Sequence, residues 1–306
     1  MKKAKIIMAL LALVSFSVNA QQDAQYTNYM YNTININPAY AGSRGALSIF
    51  GLHRTQWAGL EGAPTTNSFS INTPIANSKV GLGVSFVNDA LGVMDENTIS
   101  IDVSYTIDLN DRDSKLSFGI KGSGNFLNVA YSELNTYNPY DPNFQQDIQG
   151  QFTPNIGAGI YWHNEKTYLG LSAPNFLETK RFDDNLQSTM QQRMHYYFMG
   201  GHVIDINPTF KFKPAFLLKA VSGAPLQADV TANFLIHDKF TIGGAYRFDA
   251  AWSALVGFQV TDGLFIGYSY DGDTTKLANY NSGSHEIFLR FELFNKLRRV
   301  NSPRFF

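Results

Sequence analysis

The sequence predicts an antiparallel β-barrel of the outer-membrane type with about fourteen strands. Three observations carry this. Apolar and polar residues alternate with period two along most of the chain. No run of apolar residues after the N-terminal address is long enough for a transmembrane helix. The connections between alternating segments are short on one side and include long ones on the other.

Residues 1–20 read as an export signal. Lys2, Lys3 and Lys5 form a positive start, Ile6 to Val18 an apolar run, and Val18-Asn19-Ala20 a small-residue cleavage site before Gln21. The alternative, a retained anchor, is disfavoured because the run is too short to cross a bilayer as a helix. No cysteine follows the site, so lipoprotein processing is not expected. Residues 21–44 are rich in Asn and Tyr and show no helical stripe. They are expected to fold into the lumen as a plug or to sit at the periplasmic mouth.

Residues 45–294 carry the barrel. Strands are expected near 45–54, 65–73, 79–88, 97–108, 114–128, 153–163, 167–173, 194–205, 209–221, 226–236, 239–247, 252–260, 263–270 and 284–294. In residues 98–108, Ile99, Ile101, Val103, Tyr105 and Ile107 fall on one face, and Ser100, Asp102 and Ser104 on the other. A soluble sandwich shares this period; the sorting of connections does not suit one. Turns at 73–79, 108–114, 163–167, 205–209, 237–239 and 261–263 are short and rich in Asn, Asp, Gly and Pro. The other connections include 54–65, 130–153, 173–194 and 270–284, the expected extracellular loops. An even strand number places both termini in the periplasm. Residues 295–306, NKLRRVNSPRFF, form a basic tail there.

Glycines 81, 83, 119, 122, 124, 157 and 159 fall mostly on the lumen side, allowing curvature or relieving crowding. Tyr105, Tyr161, Trp162, Tyr168, Tyr268 and Tyr270 are candidates for interfacial girdles. The plainer reading is that aromatics favour strands.

Composition narrows function by exclusion. The chain has no cysteine, hence no disulfide, thiolate metal site or cysteine nucleophile. Removing the three signal lysines from 24 basic residues leaves 21 against 25 acidic ones, a net charge near −4 that does not suit nucleic acid. Charged residues make up 16%, against about 25% in soluble domains, which fits a lipid-facing wall.

Enzyme motifs are missing. His285-Glu286 opens like a zinc-protease helix, but Leu289 stands where the second histidine belongs. There is no Gly-x-Ser-x-Gly elbow or phosphate loop, and Asp271 and Asp273 lack the rest of a calcium loop. No catalytic, cofactor or metal residues are expected, and no cofactor.

Two polar groups stand out as candidate partner or lumen contacts. Lys211, Lys213 and Lys219 alternate with apolar residues and should face the lumen, since a lysine in lipid costs about 2–4 kcal/mol. Asp229, Asn233, Glu286, Arg290 and Glu292 lie on other strands. The sharper reading is a basic stripe for an acidic partner segment; the plainer one is a solvated lumen with compensating charges. Arg54, Gln56 and Trp57 form a second group beside an outer loop, and His285 adjoins Glu286.

Particular segments resemble the PorP/SprF family of Bacteroidota outer-membrane proteins. They are Gln25-Tyr26, Tyr29-Met30-Tyr31-Asn32, Ile36-Asn37-Pro38-Ala39-Tyr40-Ala41-Gly42-Ser43, His53-Arg54-x-Gln56-Trp57 and Ala63-Pro64-x-Thr66. Gly81-Leu82-Gly83, Asn88-Asp89-x-x-Gly92, Gly170-Leu171-Ser172-x-Pro174, Lys213-Pro214 and Tyr246-Arg247 follow. Gly267-Tyr268-x-Tyr270-Asp271 and Ser284-His285-Glu286-Ile287 close the series. The ending Ser302-Pro303-Arg304-Phe305 departs from a family pattern that often begins with Cys, so no thiol role carries over.

The resemblance implies a non-enzymatic component of the type IX secretion system. It implies partners: an exported protein with a C-terminal sorting domain, of gliding-adhesin type in some members, and secretion-machinery lipoproteins or periplasmic components. Outer-membrane lipid is the third expected partner. A passive porin for small solutes is the alternative, and a barrel enzyme the third class.

Overall fold

A strand with one apolar and one polar face can be satisfied in lipid only inside a closed sheet, because an open edge would leave backbone groups unpaired. The computed structural model describes residues 26–109, 114–134, 146–177, 179–180 and 191–293, and its main sheet closes in this way. The strands are β1 (Leu47–Thr55), β2 (Thr65–Pro74), β3 (Val80–Leu91), β4 (Met94–Asp108) and β5 (Lys115–Val129). Then come β6 (Ile148–His163), β7 (Thr167–Ala173) and β8, which is His195–His202 continued after Val203 as Ile204–Asn207. The second half is β9 (Phe210–Val221), β10 (Gln227–Ile236), β11 (Phe240–Arg247), β12 (Ala251–Gln259), β13 (Leu264–Asp273) and β14 (Ser284–Leu293). Each pairs antiparallel with its sequence neighbours. β14 returns to β1 from Leu47↔Leu293 to Thr55↔His285. The fold is a closed fourteen-stranded up-and-down barrel.

Burial runs opposite to that of a soluble domain. On β4, Ile101 is 58% exposed and the adjacent Asp102 is 0% exposed. Ile99, Val103, Tyr105 and Ile107 share the outer face, while Ser100 and Ser104 are buried inside. Turn chemistry fits the short side. His237 and Asp238 both take left-handed backbone, φ +52° and +54°, in the three-residue connection between the paired Ile236 and Phe240, which the Lys239 N–H closes by donating to the Ile236 carbonyl at 3.1 Å.

Four strand ends differ from expectation. β3 and β4 run on to Leu91 and Met94 and are joined by Gly92-Val93 alone. β6 starts at Ile148 and β13 ends at Asp273. Alternation fades there because both faces are polar, but the ladder persists through side-chain pairs. Asn88 Nδ2 donates to Asn97 Oδ1 at 3.1 Å and to Asp95 Oδ2 at 2.7 Å.

The largest core clusters lie inside the cylinder, between its wall and residues 26–46. This stretch makes one helical turn, Thr33–Ile36, and one 3-10 turn, Pro38–Tyr40. It touches inward groups around the whole wall. Asn32 reaches Ser68 on β2, Ala41 Ser104 on β4, Ile36 Ser172 on β7 and Asn28 Glu286 on β14. A segment in contact with strands on every side of a closed barrel lies in its lumen. It runs from the long-loop mouth, where Thr27 meets Asp271, to the short-turn mouth, where Arg44 pairs with Glu292 and β1 begins.

Tyr161 and Tyr168 belong to this core, packed with Tyr29, Tyr40, Tyr197 and Met199, and so are not girdle residues. Their parity on β6 and β7 points inward. Tyr105 and Tyr268 do face out.

The inward glycines are where this segment comes closest to the wall. A Cβ at Gly119 would overlap the Pro38–Ala39 backbone, one at Gly81 the Ala41 carbonyl, and one at Gly159 the Asn37 side chain. Asn37 shapes the turn seated there. Its Oδ1 accepts from Ala39 N–H at 3.0 Å, and its Nδ2 donates to the Ile160 carbonyl at 3.0 Å. Gly122 instead has open space where a Cβ would be. The signal peptide, the basic tail and the placement of both termini fall on residues 1–25 and 294–306, outside the described residues.

Gly119→Val is expected to lower thermal stability in detergent by at least about 1–3 kcal/mol, because the obstructing atoms are backbone. Gly122→Val is expected to leave it unchanged. Circular-dichroism melting of the two variants checks this.

Candidate functional site

The site is built where β1, β13 and β14 approach the long-loop mouth. Register brings Arg54 opposite Glu286, and Glu286 opposite Ser269, all on the inner face. Asp271 lies two residues beyond Ser269 on that face. Arg54 Nη1 donates to Asp271 Oδ2 at 2.7 Å and to Glu286 Oε2 at 3.2 Å. Glu286 is 0% exposed.

The chain's own residues 27 and 28 complete the cluster. Thr27 Oγ1 donates to Asp271 Oδ2 at 2.6 Å and accepts from Arg54 Nη1 at 3.2 Å. The Thr27 and Asn28 backbone N–H groups donate to Glu286 at 3.3 and 3.1 Å. Asn28 Nδ2 donates to Glu286 Oε1 at 2.5 Å and to Ser269 Oγ at 2.8 Å. Beside this, Arg247 Nε donates to both Asp229 oxygens, at 3.1 and 3.0 Å, and its Nη2 reaches the Tyr26 carbonyl at 3.5 Å. Two carboxylates with one guanidinium between them can hold backbone N–H donors firmly, since each bond has an ionised partner.

Deeper in the lumen, Tyr31 stacks on Phe288 and Phe265 with centroids 4.7 and 5.4 Å apart. Lys213 Nζ and Arg290 Cζ each lie 5.6 Å from the Tyr31 ring centre, which suits a cation held against a π face. Lys121 pairs with Asp102 at 2.9 Å across β4 and β5. Rim pairs are of another kind. Lys166, in the β7 turn, has its pKa raised by the hydrogen bond from its ammonium to the Asp205 carboxylate, but stands in solvent.

The residues singled out from sequence are dispersed. Arg54, Glu286 and Asp229 line the mouth. Gln56 and Trp57 lie in the loop above it: the Gln56 N–H donates to Pro64, and the Trp57 N–H to Ser284 Oγ at 3.1 Å. The lysines occupy three depths of β9. Lys211 bonds to Asp238 at the short-turn mouth, Lys213 lies deep over Tyr31, and Lys219 is buried near the long-loop end. His285 points out, with Nδ1 2.7 Å from the Tyr268 hydroxyl. Thr27 and Asn28 carry no sequence signal, and Arg247 and Asp271 enter the sequence analysis only within family-like segments, Asp271 also as an incomplete calcium loop. The signal was available in the alternation: two acids and an arginine on the inner parity of neighbouring strands must pair.

These features define a class, an outer-membrane-type barrel whose lumen holds its own N-terminal chain. The family model for the type IX secretion system membrane protein PorP/SprF matches residues 18–291. The chain belongs to that family, and is thereby an outer-membrane component of the type IX secretion system. Among solved structures it is similar to the toluene transporter TbuX of Ralstonia pickettii, with 9% identity, 90% of this chain and 96% of that one covered, and a TM-score of 0.50. It is also similar to the CymD monoaromatic hydrocarbon channel, with 10% identity, 87% and 99% covered, and a TM-score of 0.48. Such identities speak to fold alone. No curated protein matches the chain in sequence.

Arg54→Ala leaves two buried carboxylates facing each other and is expected to cost about 3–5 kcal/mol. Adding Glu286→Gln, which removes one of those charges, is expected to recover part of the loss. A double-mutant cycle by thermal unfolding reads the coupling.

Proposed function

We propose that this barrel receives and holds exported proteins bearing a C-terminal sorting domain, and does no chemistry of its own. The observation that carries the reading is the PorP/SprF match over residues 18–291, taken with a lumen occupied by the protein's own chain. A passive solute channel would keep that space open. The enzyme motifs missing from the sequence support a binding role.

Loop lengths support an orientation with the short turns periplasmic and the long connections outside. On the outer side, loops 56–64 and 274–283 are joined. Ala58 N–H donates to the Gly283 carbonyl and Ser282 N–H to the Ala58 carbonyl, both at 2.8 Å. Above this platform stands Tyr280, 71% exposed, as an aromatic anchor suited to a protein partner. Gliding adhesins are one class of such cargo, and secretion lipoproteins or periplasmic components would meet the opposite mouth. Gln56, Trp57 and His285 belong to the outer surface of this reading; Lys211, Lys213 and Lys219 belong to the lumen and its short-turn mouth.

The test is affinity capture of the tagged barrel from its own outer membrane, followed by mass spectrometry. A large exported protein held through its C-terminal domain, or secretion-machinery lipoproteins, is the expected recovery. The barrel alone, in cells whose surface proteins are exported normally without it, overturns the reading in favour of a porin. Tyr280→Ala is expected to weaken cargo capture by about tenfold, the scale of one interface anchor, with thermal stability unchanged.

A further inference from the structure

Thr27 and Asn28 are the residues at which the luminal chain meets the long-loop mouth. They are held by hydrogen bonds to Asp271, Ser269 and Glu286, whereas Tyr29 and Tyr31 beyond them are packed into apolar clusters. The receptor side belongs to the wall. Asp271 and Glu286 are fixed by Arg54 and by strand register, independently of what occupies the mouth. The present occupant also leaves groups unused. Arg54 Nε and Asn28 Oδ1 are buried and have no hydrogen-bond partner among the described residues. An unmade bond at a buried group costs about 1–3 kcal/mol. A chain offering an acceptor to Arg54 Nε, while keeping the N–H contacts to Glu286, would therefore fill this receptor better than residues 27 and 28 do.

We propose that Tyr26–Asn28 is a releasable latch, and that Arg54, Asp271 and Glu286 bind a short backbone turn of the exported partner in its place. This rests on the reading that the barrel receives such a partner. The ligand class is a short peptide turn like that of residues 27–31, presenting two consecutive N–H donors to Glu286, a small hydroxyl or amide side chain to Asp271, and a carbonyl to Arg54. The seat at Gly81, Gly119 and Gly159 and the Arg44–Glu292 pair keep residues 37–44 in place during the exchange.

The absence of native cysteine makes the test clean. Asn28 Nδ2 and Ser269 Oγ are 2.8 Å apart. A variant carrying Asn28→Cys and Ser269→Cys is joined with a short bifunctional methanethiosulfonate, which a reductant removes. Capture of the exported partner from the outer membrane is read before and after reduction. The single variants Asn28→Cys and Ser269→Cys control for folding and for loss of the native side chains. Cross-linking is expected to lower capture by about tenfold or more, since the competent state is withdrawn, and reduction to restore it. Equal capture by the joined and reduced forms overturns the latch. If unmodified protein captures no partner at all, the reading of the protein as a receiver fails instead, so the two failures are distinguished.

Discussion

A sheet closed in lipid solves its backbone problem and creates another, a polar inner wall that needs partners. In this protein that constraint is met by residues 26–46, and the interior depends on it. The aromatic clusters around Tyr29, Tyr31 and Tyr40 exist only because that segment lies against the wall. Inner-wall glycines provide closeness, inner-wall carboxylates provide acceptors, and Arg44 ties the segment to the last strand before the first begins. The outer face needs only to be apolar across the middle of the wall, and there it is, as Ile99, Ile101 and Val103 show.

Two kinds of contact divide the lumen by depth. Near the short-turn mouth the Asn37-Pro38-Ala39-Tyr40-Ala41-Gly42 turn is fitted backbone against backbone, where a single added carbon is obstructed. Near the long-loop mouth the contacts are ionised and directional, and the groups that make them are carried by the wall. Close packing is lost abruptly when disturbed, whereas hydrogen bonds to a fixed receptor can be exchanged for equivalent ones. The division places exchangeable contacts on the side facing exported proteins in the proposed orientation.

Much of the barrel was legible because period-two alternation is a direct consequence of a two-faced wall. All fourteen strands lie where the alternation of residues such as Ile99 to Ile107 put them. The ends of β3, β4, β6 and β13 were not legible, since a ladder solvated on both faces has no contrast to read. Tyr161 and Tyr168 look like girdle candidates in sequence because an aromatic looks the same there whether it meets headgroups or a luminal chain. The site was half legible. Arg54, Asp229 and Glu286 stood out as charges in strands, but Thr27 and Asn28 gave no signal, because their role comes from what the wall holds opposite them. The family resemblance carried by Asn37-Pro38-Ala39-Tyr40-Ala41-Gly42 marked that turn as distinctive without saying that it sits on glycines.

The most direct test of the central claim, that the barrel is filled by its own N-terminal chain, is ionic conductance of the purified protein in a planar bilayer. A closed baseline, with open-channel current appearing in a variant lacking residues 26–44, is the predicted result. A steady open pore in the intact protein, unchanged by that deletion, would contradict it.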